Sequence, residues 1–200
     1  RPMSNNNLSV ISLVSIGEHP MSRRPRRAEQ DSRAIELGLK LVGDNLQTLH
    51  AGELSDDPSQ QTALRSYLGM GLAEINLLEM PENADAVLVI AEHLKQKTPD
   101  VILTGVRAEN GESSGMLPYL LAEHLGMAMV TSIADILSVD EVNQQAEVLQ
   151  ALPRGQRRKL TVDLPFVASV DMAAAMPRQS AFGPSMRGQL ETAAVGSFTD

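Results

Sequence analysis

Ser113, Ser114 and Gly115 fall where a helix begins after a buried strand. The strand is the apolar run Val101, Ile102, Leu103, ended by Gly105. Such a run, bounded by turn residues, is expected where both faces of a sheet are covered. Residues 107–114 are a polar loop. Beyond Gly115, apolar residues at 117, 120, 121 and 125 keep helical spacing, and Gly126 is placed to end that helix. Residues 127–130 read as a further short strand. A helix starting at the carboxyl end of a parallel strand points unpaired N–H groups, with roughly half a positive charge, at its loop. Two hydroxyls and a close-approach glycine there suit a phosphate. The plainer reading of the same pattern is that Ser113 or Ser114 only caps the helix. Neither GxxxxGK[ST] nor GxGxxG occurs.

Other chemistries leave weaker traces. The chain has no GxSxG, no HExxH and no cysteine, so no standard nucleophile–base pair is expected. Glu109, Asn110 and Glu112 are oxygen donors that could hold a magnesium ion, or simply line a solvated loop. His19 and His50 fall at strand ends, where they could touch a nucleotide, whereas His93 and His124 sit on helix faces. Arg23, Arg24, Arg26, Arg27 and Arg33 follow the first strand as a basic cluster, either solvated or facing an anion.

The elements that must position these groups alternate. Strands are expected over 8–16, 45–51, 72–78 and 101–103. Helices are expected over 31–42, from Pro58 to about 68, and over 83–97. Helices of this length between strands act as crossovers in a parallel sheet. Ligands in such sheets bind at the carboxyl ends of strands, at a switch point, so the loops after Ile16, Ala51 and Leu103 should share one edge. After residue 130 the rhythm shortens. Residues 158–164 alternate apolar and polar, as an antiparallel strand does. Residues 171–200 are rich in Ala, Ser, Gly and Pro without a core period, and read as loop and tail. The expected fold is α/β: a doubly wound, mostly parallel, Rossmann-like sheet over 8–170, including a hairpin at 133–164, followed by an extended tail, 171–200.

Composition narrows the class. A net charge of −8 argues against a nucleic-acid partner. No apolar run approaches the roughly 20 residues that cross a bilayer, so no membrane insertion is expected. No secretory signal is expected, and a cytoplasmic location is. Only 2% of residues are aromatic, so the core must be aliphatic with Met as filler.

The central stretch resembles the electron transfer flavoprotein beta subunit family. There a buried strand leads to a glycine, an alanine, an acidic loop, Thr/Ser-Gly, and a helix ending Leu-Ala-Glu-x-Leu-Gly. The matching residues here are Gly105, Ala108, the loop 109–113, Ser114 with Gly115, and the run Leu121 to Gly126. Met116 stands where the family has Gln. The helix opening at Asp31 resembles a family helix that an acidic residue precedes, with Ala28 and Glu29 in place of Asn-Pro. The run Leu164 to Asp171 resembles Leu-Pro-Ala-Val-Val-Thr-Val-Asp, and Pro177 with Arg178 resembles a later Glu-Pro-Arg. Arg154 and Arg158 stand where the family carries acidic residues. The family's extra hairpin after strand one is expected to be missing, as is its Lys-rich C-terminal arm.

The resemblance implies an electron carrier without catalytic side chains. It implies a heterodimer with an alpha subunit, which carries FAD in a cleft this chain lines, and bound AMP as a structural nucleotide. Electrons would come from flavin-dependent dehydrogenases and pass towards a membrane electron transfer flavoprotein–quinone oxidoreductase. The implied nucleotide contacts are Val14, Ser15, Asp31, Ala51, Gly52, Gly105, Ala108, Asn110, Ser113, Ser114, Gly115 and Met116. The implied partner contacts are Phe182, at the position of a docking leucine, and Met186. The alternative is a homodimeric adenine-nucleotide-binding or hydrolase-like α/β protein without flavin.

Overall fold

The structure is a computed structural model and describes residues 7–18, 25–51, 58–79, 85–105 and 117–193. Its frame is a nine-stranded sheet in the order β11-β5-β4-β1-β6-β10-β7-β8-β9. The strands are β1 (Val10–Val14), β4 (Gln47–Ala51), β5 (Glu74–Leu78), β6 (Val101–Gly105), β7 (Ala128–Asp140), β8 (Gln145–Ala151), β9 (Arg157–Asp163), β10 (Phe166–Val170) and β11 (Gln189–Ala193). From β11 to β7 every neighbouring pair is parallel; β7–β8 and β8–β9 are antiparallel. This is the expected mostly parallel α/β sheet with its antiparallel extension.

Burial explains why β1, β6 and β10 are mostly apolar, with only Ser12, Thr104 and Ser169 as buried hydroxyls among them. Val101 and Leu103 pack into a core with Ile35 and Leu39 of α1 (Glu29–Val42) and Leu64 and Tyr67 of α2 (Pro58–Leu68). Ile102, between them, joins a second core with Ile90 and Leu94 of α3 (Ala86–Lys97) and Leu121 of α4 (Leu117–Leu125). Alternate side chains thus serve opposite faces, each covered by helices, and no polar face remains. Gly126 closes α4 at φ +65°, as the sequence indicated.

The chain runs from β1 to β4 and β5 on one side, then returns to place β6 on the other side of β1. That reversal beside β1 is the switch point at which an open α/β sheet forms its crevice.

Three sequence expectations are corrected. Residues 127–130 and 133–139 form one strand, β7, bent at Ser132 with φ +55°; its first half pairs with β10 and its second with β8. The stretch after strand one does contain a hairpin: β2 (Ile16–Glu18) pairs antiparallel with β3 (Pro25–Arg27). Backbone pairing there leaves no apolar alternation to read. The segment 171–193 is more than loop and tail. After extended chain come a short helix, α5 (Phe182–Arg187), and β11, which docks parallel on β5. An edge strand with one neighbour needs no long apolar run, so its composition is uninformative.

Candidate functional site

The carboxyl ends of β1 and β6 meet the first turn of α1. Val14 ends β1, Ser15 follows it, and Gly105 ends β6. Asp31, in the first turn of α1, is 6% exposed and binds both ends. Ser15 donates to its carboxylate through N–H at 2.9 Å and Oγ–H at 2.6 Å, and Gly105 N–H donates at 2.8 Å. Charge-assisted bonds of this kind are the stronger ones in proteins. Gly105 is required here, since a Cβ at that position would lie 2.7 Å from Asp31 Oδ1. The expected contact residues Val14, Ser15, Asp31 and Gly105 are therefore together, lining a crevice of about 70 Å³ with Thr104 and Leu117.

Ala51 ends the neighbouring β4, where His50 pairs with Val14 in register. The His50 ring donates from Nδ1 to Val14 O at 2.9 Å. Burial pushes the imidazole pKa below its ordinary value, opposed in part by that bond. His50 thus faces its own strand neighbour's backbone.

Gly52, Ala108, Asn110, Ser113, Ser114, Gly115 and Met116 lie outside the described residues, as do His19, Glu109, Glu112, Arg23 and Arg24. Among the described residues no cluster of three His, Asp or Glu side chains could hold a metal ion.

Tyr67, which sequence reasoning passed over, and Arg33 complete the corner. Tyr67 on α2 is fully buried; its hydroxyl accepts from Ala28 N–H at 2.7 Å and donates to Ser15 O at 2.6 Å. It ties the start of α1 to the end of β1. A tyrosine on the apolar face of a helix, in a chain with two tyrosines, was the available signal. Arg33, counted in the basic cluster, lies on α1 within the expected helix and is buried there at 8% exposure. It donates to Ala174 O and to Glu29 Oε1, the latter at 3.1 Å.

The 171–188 stretch is strapped to the helices on that side. Arg178 donates to Glu36 from its backbone N–H at 2.7 Å and from Nε and Nη2 at 2.9 and 2.8 Å. Those bonds hold the Glu36 carboxyl below the usual carboxylate range. Under the strap lies a hollow of about 810 Å³, bordered by Arg33, Glu36, Lys40, Asp135 and Arg178. Its charges answer one another: Lys40 Nζ reaches Asp135 Oδ1 at 3.0 Å and Arg178 Nη2 reaches Glu36 at 2.8 Å.

Farther on, Ala181 N–H donates to Gly69 O at 2.9 Å, and Arg65 Nη1 donates to Ser185 O at 3.0 Å. Gly69 must be glycine, because a Cβ there would meet Ser180 Oγ. This backing fixes α5 while Phe182 remains 81% and Met186 58% exposed. The two sit four residues apart, hence on one helix face.

Fold and crevice define a Rossmann-like, doubly wound α/β domain. The model of the family described as "Electron transfer flavoprotein domain" matches residues 28–197. A relative named electron transfer flavoprotein subunit beta, from Chromohalobacter salexigens, is 51% identical over 187 residues, covering 94% of this chain and 68% of that protein. The chain belongs to the electron transfer flavoprotein family, on its beta-subunit side. No described helix is long and apolar enough to cross a membrane.

Proposed function

We propose that this chain is the beta subunit of a heterodimeric electron carrier, pairing with an electron transfer flavoprotein alpha subunit and lining the cleft in which that subunit holds FAD. The reading extends to bound AMP, to flavin-dependent dehydrogenases as donors, to a membrane quinone oxidoreductase as acceptor, and to a cytoplasmic location. The observation that carries it is the family match over residues 28–197, on a sheet whose reversal point bears a small-residue crevice. FAD, when bound, supplies the electron-transfer chemistry, and no acid–base pair is asked of the chain.

The described residues fit an adenine nucleotide in a particular way. Ala51 and Gly105 keep the strand ends small. The Ser15 and Gly105 amides, the obvious phosphate donors, already serve Asp31. A phosphate would therefore need other donors, for which the sequence offers Ser113, Ser114 and Gly115, outside the described residues, and the crevice would receive the less charged part of the nucleotide. Co-expression with an alpha-subunit partner tests this. A yellow heterodimer that releases FAD and AMP on acid extraction is the expected result. A colourless homodimer that hydrolyses ATP would instead support the hydrolase-like alternative.

A further inference from the structure

Arg27 ends β3, immediately before α1, and its backbone neighbour is fixed by the Ala28 N–H bond to Tyr67 Oη at 2.7 Å. Its side chain has no such provision. Nη1 of Arg27 is closed off from solvent and finds no hydrogen-bond acceptor among the described residues. Glu29, two positions on, is engaged by Arg33 at 3.1 Å. Buried donors are nearly always paired, and an unpaired one costs most when it carries charge.

Arg27 also lines a cavity of about 290 Å³, roughly ten times the space a water molecule occupies. Its described walls include Glu29, whose carboxylate is neutralised by Arg33, with Ser32, Thr62 and Ser66 from the two adjoining helices and Pro177 from the strap. The Ser32 and Thr62 hydroxyls are spent on backbone carbonyls, Ala28 O at 2.9 Å and Pro58 O at 2.8 Å. Arg27 Nη1 is thus a charged donor beside this cavity that is still without an acceptor among the described residues. No wall residue is shared with the crevice at the ends of β1 and β6.

We propose that this cavity is a second ligand site, one that takes an oxyanion, phosphoryl or carboxylate, on the Arg27 guanidinium. A planar guanidinium matches both groups with paired N–H donors, and the site requires the long Arg27 side chain to rotate so that Nη1 faces the cavity. The site stands independently of the nucleotide reading, since it uses none of those residues.

The test is titration of the full chain with inorganic phosphate and, separately, with acetate, in chloride buffer at constant ionic strength. Binding heat and melting temperature are the readouts. Wild type should bind one equivalent of at least one anion saturably and melt higher with it. Arg27→Gln should bind at least tenfold more weakly, lose most of that shift, and melt no lower than wild type in chloride alone, because the uncompensated charge is gone. Arg27→Lys, keeping a point charge without the fork, should fall between the two, and it carries the test if Arg27→Gln fails to fold. A stronger response to phosphate assigns the phosphoryl group, and a stronger response to acetate assigns the carboxylate. Three results each overturn the proposal: no saturable binding to wild type, identical responses in wild type and the variants, or loss of adenine nucleotide from Arg27→Gln, which would place Arg27 in the crevice.

Discussion

Replacing Asp31 by alanine should loosen the junction of β1, β6 and α1 more than any other single change at the crevice. The carboxylate accepts from Ser15 N–H, Ser15 Oγ–H and Gly105 N–H at 2.9, 2.6 and 2.8 Å. Alanine strands both amides. Gly105 is buried and has no ready substitute acceptor, whereas Ser15 is half-buried and its amide can recruit water. A stranded buried donor costs about 1–3 kcal/mol, so a loss of about 3 kcal/mol is expected from the pair. For a chain of this size that is a fall of about 6–12 °C in melting temperature. Asparagine should not rescue it fully. Each carboxylate oxygen faces a donor, so the amide group necessarily turns N–H towards N–H on one side. Thermal or urea melts of the full chain with its partner, read with nucleotide content, provide the assay. If both variants melt within about 2 °C of wild type and keep their nucleotide, the clamp reasoning is refuted.

Three further outcomes follow from the same geometry. His50 titrates below its ordinary value because burial disfavours its charge; the unfolded chain therefore binds the extra proton first, so stability should be full above about pH 6.5 and fall as pH drops below it. His50→Gln should flatten that slope in melts between pH 5 and 8, and a parallel slope would show that His50 is not its source. Glu36→Gln should cost only about 0.5–1 kcal/mol, since the Arg178 side chain is half exposed, yet tryptic cleavage after Arg178 should accelerate severalfold; unchanged cleavage would mean the strap is held by other contacts. The depressed Glu36 carboxyl sets the direction: its contribution is present above the usual carboxylate range and disappears as pH falls through the folded value. Phe182→Ala should leave folding and FAD content unchanged and slow electron transfer from the dehydrogenase by about tenfold, equivalent to about 1.4 kcal/mol; a variant melting several degrees lower with normal kinetics would make Phe182 a packing residue.

The parallel core was legible because burial on both faces leaves a simple mark. Val101, Ile102 and Leu103 are apolar in sequence since neighbours on opposite faces both meet helices. Elements stabilised mainly through their backbones left no such mark. The β2–β3 hairpin rests on pairings such as Gly17 with Arg26, and β11 on edge pairing to β5; neither needs alternating side chains. Ser132 shows a third limit. A single residue at φ +55° lets one strand change partners, and nothing in Thr131–Ser132 announces it.

The crevice was legible as a place, while the bonds that close it were not. Topology brings Val14, Ser15, Ala51 and Gly105 to one edge, and strand periodicity was enough to foresee that. Asp31 was assigned to the ligand through the family resemblance, and its bonds to Ser15 and Gly105 join the strand ends to α1. The distinction is one of distance across the fold. Asp31 lies 74 positions from Gly105 and Glu36 lies 142 from Arg178, so no local pattern can show either pairing. Once both are seen, α1 acquires a further role. Its first turn fixes the crevice, while over the next turn Arg33 and Glu36 grip the segment leading to Phe182. A displacement of that one helix would be felt at both ends, so the crevice at the ends of β1 and β6 and the exposed face of α5 share a rigid reference. Under the proposed function, which asks for a cofactor cleft and a docking face at once, building both on one helix keeps them in register.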